Sequence, residues 1–503
     1  MSSPALTWNK TLGLIRQEGP GHTAPMAGLP AVHNAVNSAT HVCMGVQRGR
    51  VGETELMATL RSFRAMQQRP GGERAGCLRW YWEESAPVDT NASFFIGLAL
   101  ELLYLAEGEN LGAAPRAAIR EIVADLAPWF EHELTDANPR YPNKCLGDLV
   151  CGWLAAEVLE CAPSAQLERM TREWSAYWRE SHWGWGEHMS DIYAMVLLTE
   201  LSAVLLFARH LPADIREVWQ TQCKELLRIE DAFAGGPRVP LIRSYAFTES
   251  PPVTPFRGFI HDVARDGREL DLLVRKPAEA FGAWFFRAGW TALAGKSASA
   301  STLWGEVACH QGAVARAIVR PNLRLGAMSR YPIMDGVDQQ TWGLSWQSFP
   351  AALWRPAGDW GFWRWTTREG GRVRAHPALD LASAYLGNAL SARVDPPPVP
   401  RMTASLSANG HLTMERVLPT PSAAQWDEVE DAFCLLASDA TAQVEGHTLT
   451  LRWPDAVLCV RWRGEAPIVW EPAIRGGRWV VRYAAAHLSG RAELVHRWEL
   501  TLA

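Results

Sequence analysis

The chain lacks a basic excess. Its 49 lysines and arginines stand against 54 aspartates and glutamates, a net charge of -5. Nucleic-acid binding usually shows as the opposite imbalance, so no nucleic-acid partner is expected. It also lacks any stretch of about 18 uninterrupted apolar residues, so no membrane span is expected. The opening segment MSSPALTWNKTLGLIRQEGP carries no apolar run of signal-peptide length, and a cytoplasmic location is expected from it. The nine cysteines have no CxxC spacing and are odd in number. They read as neither a disulfide framework nor a zinc site, but as thiols largely buried in apolar patterns. Walker, dinucleotide, HExxH and serine-elbow motifs are also missing, so neither cofactor nor metal is expected.

Tyrosine is scarce and tryptophan is not: nine against 25 in 503 residues. Most of these indoles belong to cores, but tryptophan also offers flat faces on which sugar rings stack. The length allows two or three domains.

The first 295 or so residues read as helices. Ser164 to Glu180 carries Leu167, Met170, Trp174, Tyr177 and Trp178 on one stripe, an amphipathic half-exposed helix. Asp191 to Arg209 is apolar nearly all round, and Asn91–Leu105 and Leu146–Leu159 are similar. Alternation of buried and amphipathic helices is the pattern of an inner ring wrapped by an outer one. Polar or aromatic clusters open the apolar helices: Asp89-Thr90-Asn91, Tyr141-Pro142-Asn143, Glu187 to Tyr193, and Arg243-Ser244-Tyr245. Counting from Asn91 to Asn143, Tyr193 and Tyr245 gives steps of 52, 50 and 52 positions. Each step fits one helical hairpin, so equivalent helix ends are expected around one cleft.

From about Trp304 the texture changes to short alternating runs: Val307–Val319, His447–Trp453, Val457–Trp462, Trp479–Tyr483 and Leu494–Leu500. Glu445-Gly446 and Gly476-Gly477 read as turns between them. The expected fold class is α+β multidomain. An N-terminal α/α toroid, an incomplete helical-hairpin barrel over 1–298, precedes a C-terminal antiparallel β-sandwich over 299–503. The proline-rich run 395–400 is a stiff connector within the second part.

Three constellations could carry chemistry. The first is Trp183 to Tyr193, where Trp185, Glu187, His188 and Tyr193 precede or open a buried helix. Ser190 there is also a good N-cap. The second is Arg79-Trp80-Tyr81-Trp82-Glu83-Glu84 ahead of Asp89 and Asn91. Its aromatics beside acids look like a sugar-binding wall. They also permit hydrolase chemistry, pairing Glu83 or Glu84 with Glu187 or Asp148. The third is Asp335 to Pro350, with Gln340, Trp342 and Trp346 placed toward the cleft.

The run Gly186-Glu187-His188-Met189-Ser190-Asp191-Ile192-Tyr193 resembles a segment of heparinase II/III-like and related alginate lyases. There, an acidic or amide residue precedes a tyrosine at the start of an inner helix. The resemblance implies Tyr193 as proton donor and base. It also implies Asn143, about 50 residues earlier, as the group that neutralises a uronate carboxylate. The family pairs an α/α toroid with a β-sandwich. Where the family has a histidine after that asparagine, this chain has Lys144. Where the family has His-Gly-His, it has Cys309-His310-Gln311-Gly312.

β-Elimination needs a base for the proton beside the carboxylate, an acid for the departing oxygen, and donors for the enediolate charge. Tyr193 and His188 could supply base and acid; Asn143, Arg243 and Lys144 could hold the carboxylate, with Tyr245 at the matching place in the next repeat. Trp80, Trp82, Glu83, Asn91, Trp185, Glu187, Gln340, Trp342 and Trp346 would line the substrate site. The expectation is a lyase on a uronate-containing glycan; the alternatives are a glycoside hydrolase on the same scaffold and a non-catalytic glycan-binding protein.

Overall fold

The structure is a computed structural model. It describes residues 6–47, 49–139, 141–184, 186–190, 193–233, 238–241, 303–330, 349–356, 358–369, 372–373, 401–419, 427–488 and 490–503. Arg243, Tyr245, Trp185, Gln340, Trp342, Trp346 and the connector 395–400 lie outside these residues.

The chain opens with strands rather than helices: β1 (Leu6–Asn9), β2 (Leu14–Glu18) and β3 (Ala31–Asn34) form an antiparallel sheet. Runs of four or five residues carry too little alternation to register as strands. Pairing with distant chain completes them: Trp82 N–H donates to His33 C=O at 3.0 Å, and Asn34 bridges Tyr81.

Among the described residues eight helices follow in the N-terminal part: α1 (Ala35–Gln47), α2 (Glu53–Met66), α3 (Asn91–Glu107), α4 (Ala113–Glu133), α5 (Pro142–Leu159), α6 (Ala165–Ser181), α7 (Tyr193–Phe207) and α8 (Ala213–Ala232). They pair in sequence as hairpins. The odd helices pack on one another, α1 on α3, α3 on α5 and α5 on α7, while α2 packs on α4 and α6 on α8. Over the described residues this is a two-layered array with an inner and an outer row.

The sequence pattern explains which row each helix joins. In α5, 15 of 18 residues are buried, as an all-round apolar helix requires. In α6 only Leu167, Thr171, Trp174, Ser175, Trp178 and Ser181 are buried, one stripe at helical spacing. Ser164 caps α6, its Oγ accepting from Leu167 N–H at 3.1 Å. The inner row is tight enough to need glycine. A Cβ on Gly147 would lie 2.6 Å from the Phe94 ring and 3.0 Å from Glu200 Oε1.

Among its described residues the C-terminal part holds two antiparallel sheets. The first is ordered β10 (Arg401–Leu406), β11 (His411–Pro419), β18 (Glu493–Leu502), β15 (Ala456–Trp462), β14 (Thr448–Trp453), β13 (Thr441–Glu445). The second is ordered β16 (Ile468–Ala473), β17 (Gly476–Ala484), β12 (Glu428–Leu436), β8 (Trp360–Glu369), β7 (Ala351–Trp354), β6 (Leu323–Met328), β5 (Val314–Arg320), β4 (Leu303–Ala308), with β9 (Arg372–Val373) also on β8.

The sheets share one core. Trp498 on β18 meets Trp363 and Trp479 of the other sheet at centroid distances of 6.2 and 5.8 Å. A polar link joins them as well. Asp431 on β12 accepts from Arg416 of β11 and from Trp498 Nε1, and its Oδ2 lies 2.7 Å from His496 Nδ1, all buried. Two sequence details differ. Val307–Val319 is two strands parted by a 3-10 turn, His310–Gly312. Gly476 opens β17 instead of forming a turn; its φ of +104 and the approach of Leu435 C=O, which a Cβ would strike, require glycine there.

Twelve tryptophans are buried among the described residues, so most of the indoles described there belong to cores. Met189, Ile229 and Phe233 from the helical part join the core of the sheets. The two parts therefore meet beside the segment that precedes α7.

Candidate functional site

The start of α5 is the centre of this region. Pro142 occupies the first helical turn, where a missing N–H costs nothing. Asn143 follows, 2% exposed. Its backbone N–H donates to Glu187 Oε2 at 2.8 Å, and its Nδ2 donates to Glu187 Oε1. Glu187 is fully buried in a 3-10 turn, Glu187–Met189. It thus satisfies one of the orphan N–H groups of α5 from a different segment, where the positive helix end favours its charge.

Tyr193 opens α7, with its N–H donating to Ser190 Oγ at 3.1 Å. At 8% it is more exposed than Asn143, Glu187 or His188. Because α5 packs on α7 and Glu187 reaches Asn143, the starts of these helices stand at the same end of the array. The start of α3 stands there too, since Lys144 Nζ lies 5.8 Å from the Phe94 ring centroid.

His188 is fully buried and its Nε2 lies 2.9 Å from Ala308 C=O at the end of β4. A carbonyl only accepts, so Nε2 carries the proton and Nδ1 is the bare nitrogen. Among the described residues Nδ1 has no hydrogen-bond partner. Burial, with Arg238 and His182 nearby, holds the imidazole down at about 4 despite the Ala308 bond. At neutral pH His188 is uncharged, and its Nε2 proton links the turn before α7 to the end of β4. Cys309 Sγ sits 3.6 Å from the same Nε2, and burial pushes that thiol up to about 12.

Lys144 turns inward. Its Nζ pairs with Glu133 at 2.7 Å and with Asp148. Burial opposes its charge, but the two carboxylates outweigh burial and hold its pKa above the ordinary value. Burial pushes Asp148 up to about 7 against the pull of Lys144. Behind it, Glu200 is fully buried with neither oxygen hydrogen-bonded among the described residues. Desolvation, with Glu187 and Asp148 nearby, raises its pKa well above normal.

The aromatic wall forms a neighbouring group. Trp80 and Trp82 are half-buried, and Trp80 meets His22 edge-on at 4.4 Å. Glu83 accepts from His33 N–H at 2.9 Å and lies 2.6 Å from its Nδ1. Glu84 is buried, accepting from Thr23 Oγ1 and from the N–H groups of Trp80 and Tyr81. Asn91 N–H is held by Asp89 Oδ1 at 3.0 Å. The four carboxylates a hydrolase would draw on, Glu83, Glu84, Asp148 and Glu187, are thus all engaged in internal bonds. His22 joins Tyr81 OH (2.8 Å) to Asp89 (3.0 Å), and sequence reasoning did not find it. Its partners lie 59 and 67 residues away, and no local pattern marks such a contact.

Among the described residues no group of three or more His, Cys, Asp or Glu is arranged to hold a metal ion, and no helix is long and apolar enough to cross a membrane.

No family model and no curated protein matches the chain. A solved structure that is similar to it is a chondroitin AC lyase of Streptomyces coelicolor A3, in complex with chondroitin sulphate. It is 11% identical over 96% of this chain and 77% of its own, with a TM-score of 0.49. That likeness is one of outline, and the functional reading rests on this chain's own residues.

Proposed function

We propose that the protein is a polysaccharide or oligosaccharide lyase that cleaves a uronate-containing glycan by β-elimination. The observation that carries this reading is the clasp between Asn143 and Glu187. It ties the start of α5, with its amide donor, to the segment that precedes α7, whose first residue is Tyr193. The least buried of these groups is the one the reaction asks to move protons.

In the reaction the C–H bond beside the uronate carboxylate breaks, its proton going to a base. The electron pair forms a carbon–carbon double bond, and the bond to the departing glycosidic oxygen breaks as that oxygen is protonated. No water is consumed. Tyr193 takes the proton and returns it to the leaving oxygen, the usual work of a positioned acid–base group. Asn143 donates to the carboxylate as it gains enediolate character. Arg243 and Tyr245, outside the described residues, are assigned to the same cleft by the repeat spacing alone. Lys144 contributes to the site by neutralising Glu133 and Asp148 rather than by touching substrate.

The test is a panel of uronate glycans screened for an unsaturated, ultraviolet-absorbing product, with mass spectrometry of the fragments. Fragments whose masses sum to the parent support elimination. Fragments that have gained water, formed by an enzyme that tolerates Tyr193→Phe but not Glu83→Gln, would show carboxylate-based hydrolysis instead.

A further inference from the structure

We infer that Glu187 is a positioning residue: its carboxylate sets which way round the Asn143 amide stands, so that a donor rather than an acceptor faces the bound uronate. The inference rests on the lyase reading. An asparagine amide is nearly symmetric in shape but opposite in polarity at its two ends. Turned one way, Nδ2 offers protons to a substrate carboxylate. Turned the other way, Oδ1 sets lone pairs against it. Shape alone does not choose between these, so a neighbour of fixed polarity must.

A carboxyl group that accepts with both oxygens is such a neighbour. Glu187 takes the backbone N–H of Asn143 with one oxygen and Nδ2 with the other. The first bond locates the carboxylate on the helix end; the second then admits only the Nδ2 orientation. Nδ2 carries two protons, and the clasp uses one. The second proton, on the same nitrogen, stays outside the clasp.

The same carboxylate could instead be a plug, occupying the place of substrate until it swings away. The surroundings of the turn oppose that. Glu187 is fully buried, Ser190 N–H closes the turn on Glu187 C=O at 3.0 Å, His188 is tied to Ala308, and Met189 is buried in the core of the sheets. A segment anchored on both sides holds its neighbour in place; it does not leave.

Glu187→Gln reverses the logic with almost no change in volume. If glutamine Oε1 keeps the bond to the Asn143 backbone, its NH2 meets the Asn143 side chain, which must then turn Oδ1 inward and Nδ2 away. On a uronate glycan that the wild type cleaves, kcat is expected to fall on the order of 10²-fold, the scale for one misplaced charge-stabilising donor. KM and melting temperature should change little. Combining Glu187→Gln with Asn143→Ala should give no further loss beyond Asn143→Ala alone, because both act through one amide. Turnover of Glu187→Gln equal to the wild type, or losses that multiply in the double variant, would overturn the inference. Turnover faster than the wild type would mark Glu187 as a plug and overturn it as well. Should the glutamine variant fail to fold, Glu187→Asp replaces it. That change keeps the charge but withdraws it by one methylene, so kcat should again fall, and an unchanged kcat refutes positioning. A wild type that cleaves no uronate glycan sinks the lyase reading itself, a result visible before any variant is made.

Discussion

Replacing Lys144 with methionine separates two roles that sequence alone cannot. Lys144→Met keeps most of the hydrocarbon stem and removes the charge between Glu133 and Asp148. Asp148 is nearly inaccessible, and burial already pushes its carboxyl up to about 7 with the lysine present. Without the lysine its pKa must rise further, since the cation was the group pulling it down.

The sign follows from linkage. An acid whose folded pKa is raised loses stability as pH climbs, because the unfolded chain releases the proton first. In the wild type that loss stops near pH 7, where Asp148 ionises in the fold as well. In Lys144→Met it continues, at up to about 1.4 kcal/mol per pH unit. Whatever the loss of the Glu133 pair costs at both pH values, the gap between the two proteins should widen from pH 6 to pH 9 by up to roughly 3 kcal/mol. Urea unfolding followed by tryptophan fluorescence at several pH values measures this gap. A gap constant between pH 6 and pH 9 would refute the reasoning. So would unchanged stability with a selectively raised KM, which would return Lys144 to the substrate.

Tyr193→Phe keeps the ring and removes the proton-transfer group, and should lower turnover on the order of 10²-fold or more with stability little changed. His188→Gln tests the seam. A histidine held neutral near 4, against about 6.5 unfolded, stabilises fully above pH 6.5 and loses that contribution as pH falls toward 4. The wild type should therefore lose about 3 kcal/mol over that window, and the glutamine variant should lack this slope in denaturation at matched pH. Asp431→Asn strands the buried Arg416 and should cost about 3–5 kcal/mol in urea unfolding. A loss below about 1 kcal/mol would show that the buried link between the two sheets is dispensable.

The existence and kind of the main elements were legible in the sequence because they follow from periodicity, which is local. The all-round apolar runs became the inner helices α3, α5 and α7, and the striped run became α6 with Ser164 as its cap. The alternating runs became β14, β15, β17 and β18. The first sheet was missed because strands of four or five residues leave no period to detect, and its partners at Tyr81 and Trp82 are far along the chain.

At the site, the roughly 50-residue spacing picked out Asn143 and Tyr193 at helix starts, and the polar clusters around them drew in Lys144, Glu187 and His188. Their partners were decided only by tertiary structure. Lys144 looks like a cation for substrate until Glu133, 11 positions earlier on another helix, is seen to claim it. His188 looks like an acid until the carbonyl of Ala308, 120 residues away, fixes its proton and burial makes it neutral. Glu187 looks like a free carboxylate until it is found clasping Asn143, 44 residues before it. A side chain's residue type is local, but its protonation and orientation depend on desolvation and on which groups the fold brings against it. That is why spacing and local clusters named these residues and only the packed structure showed what each one is bound to.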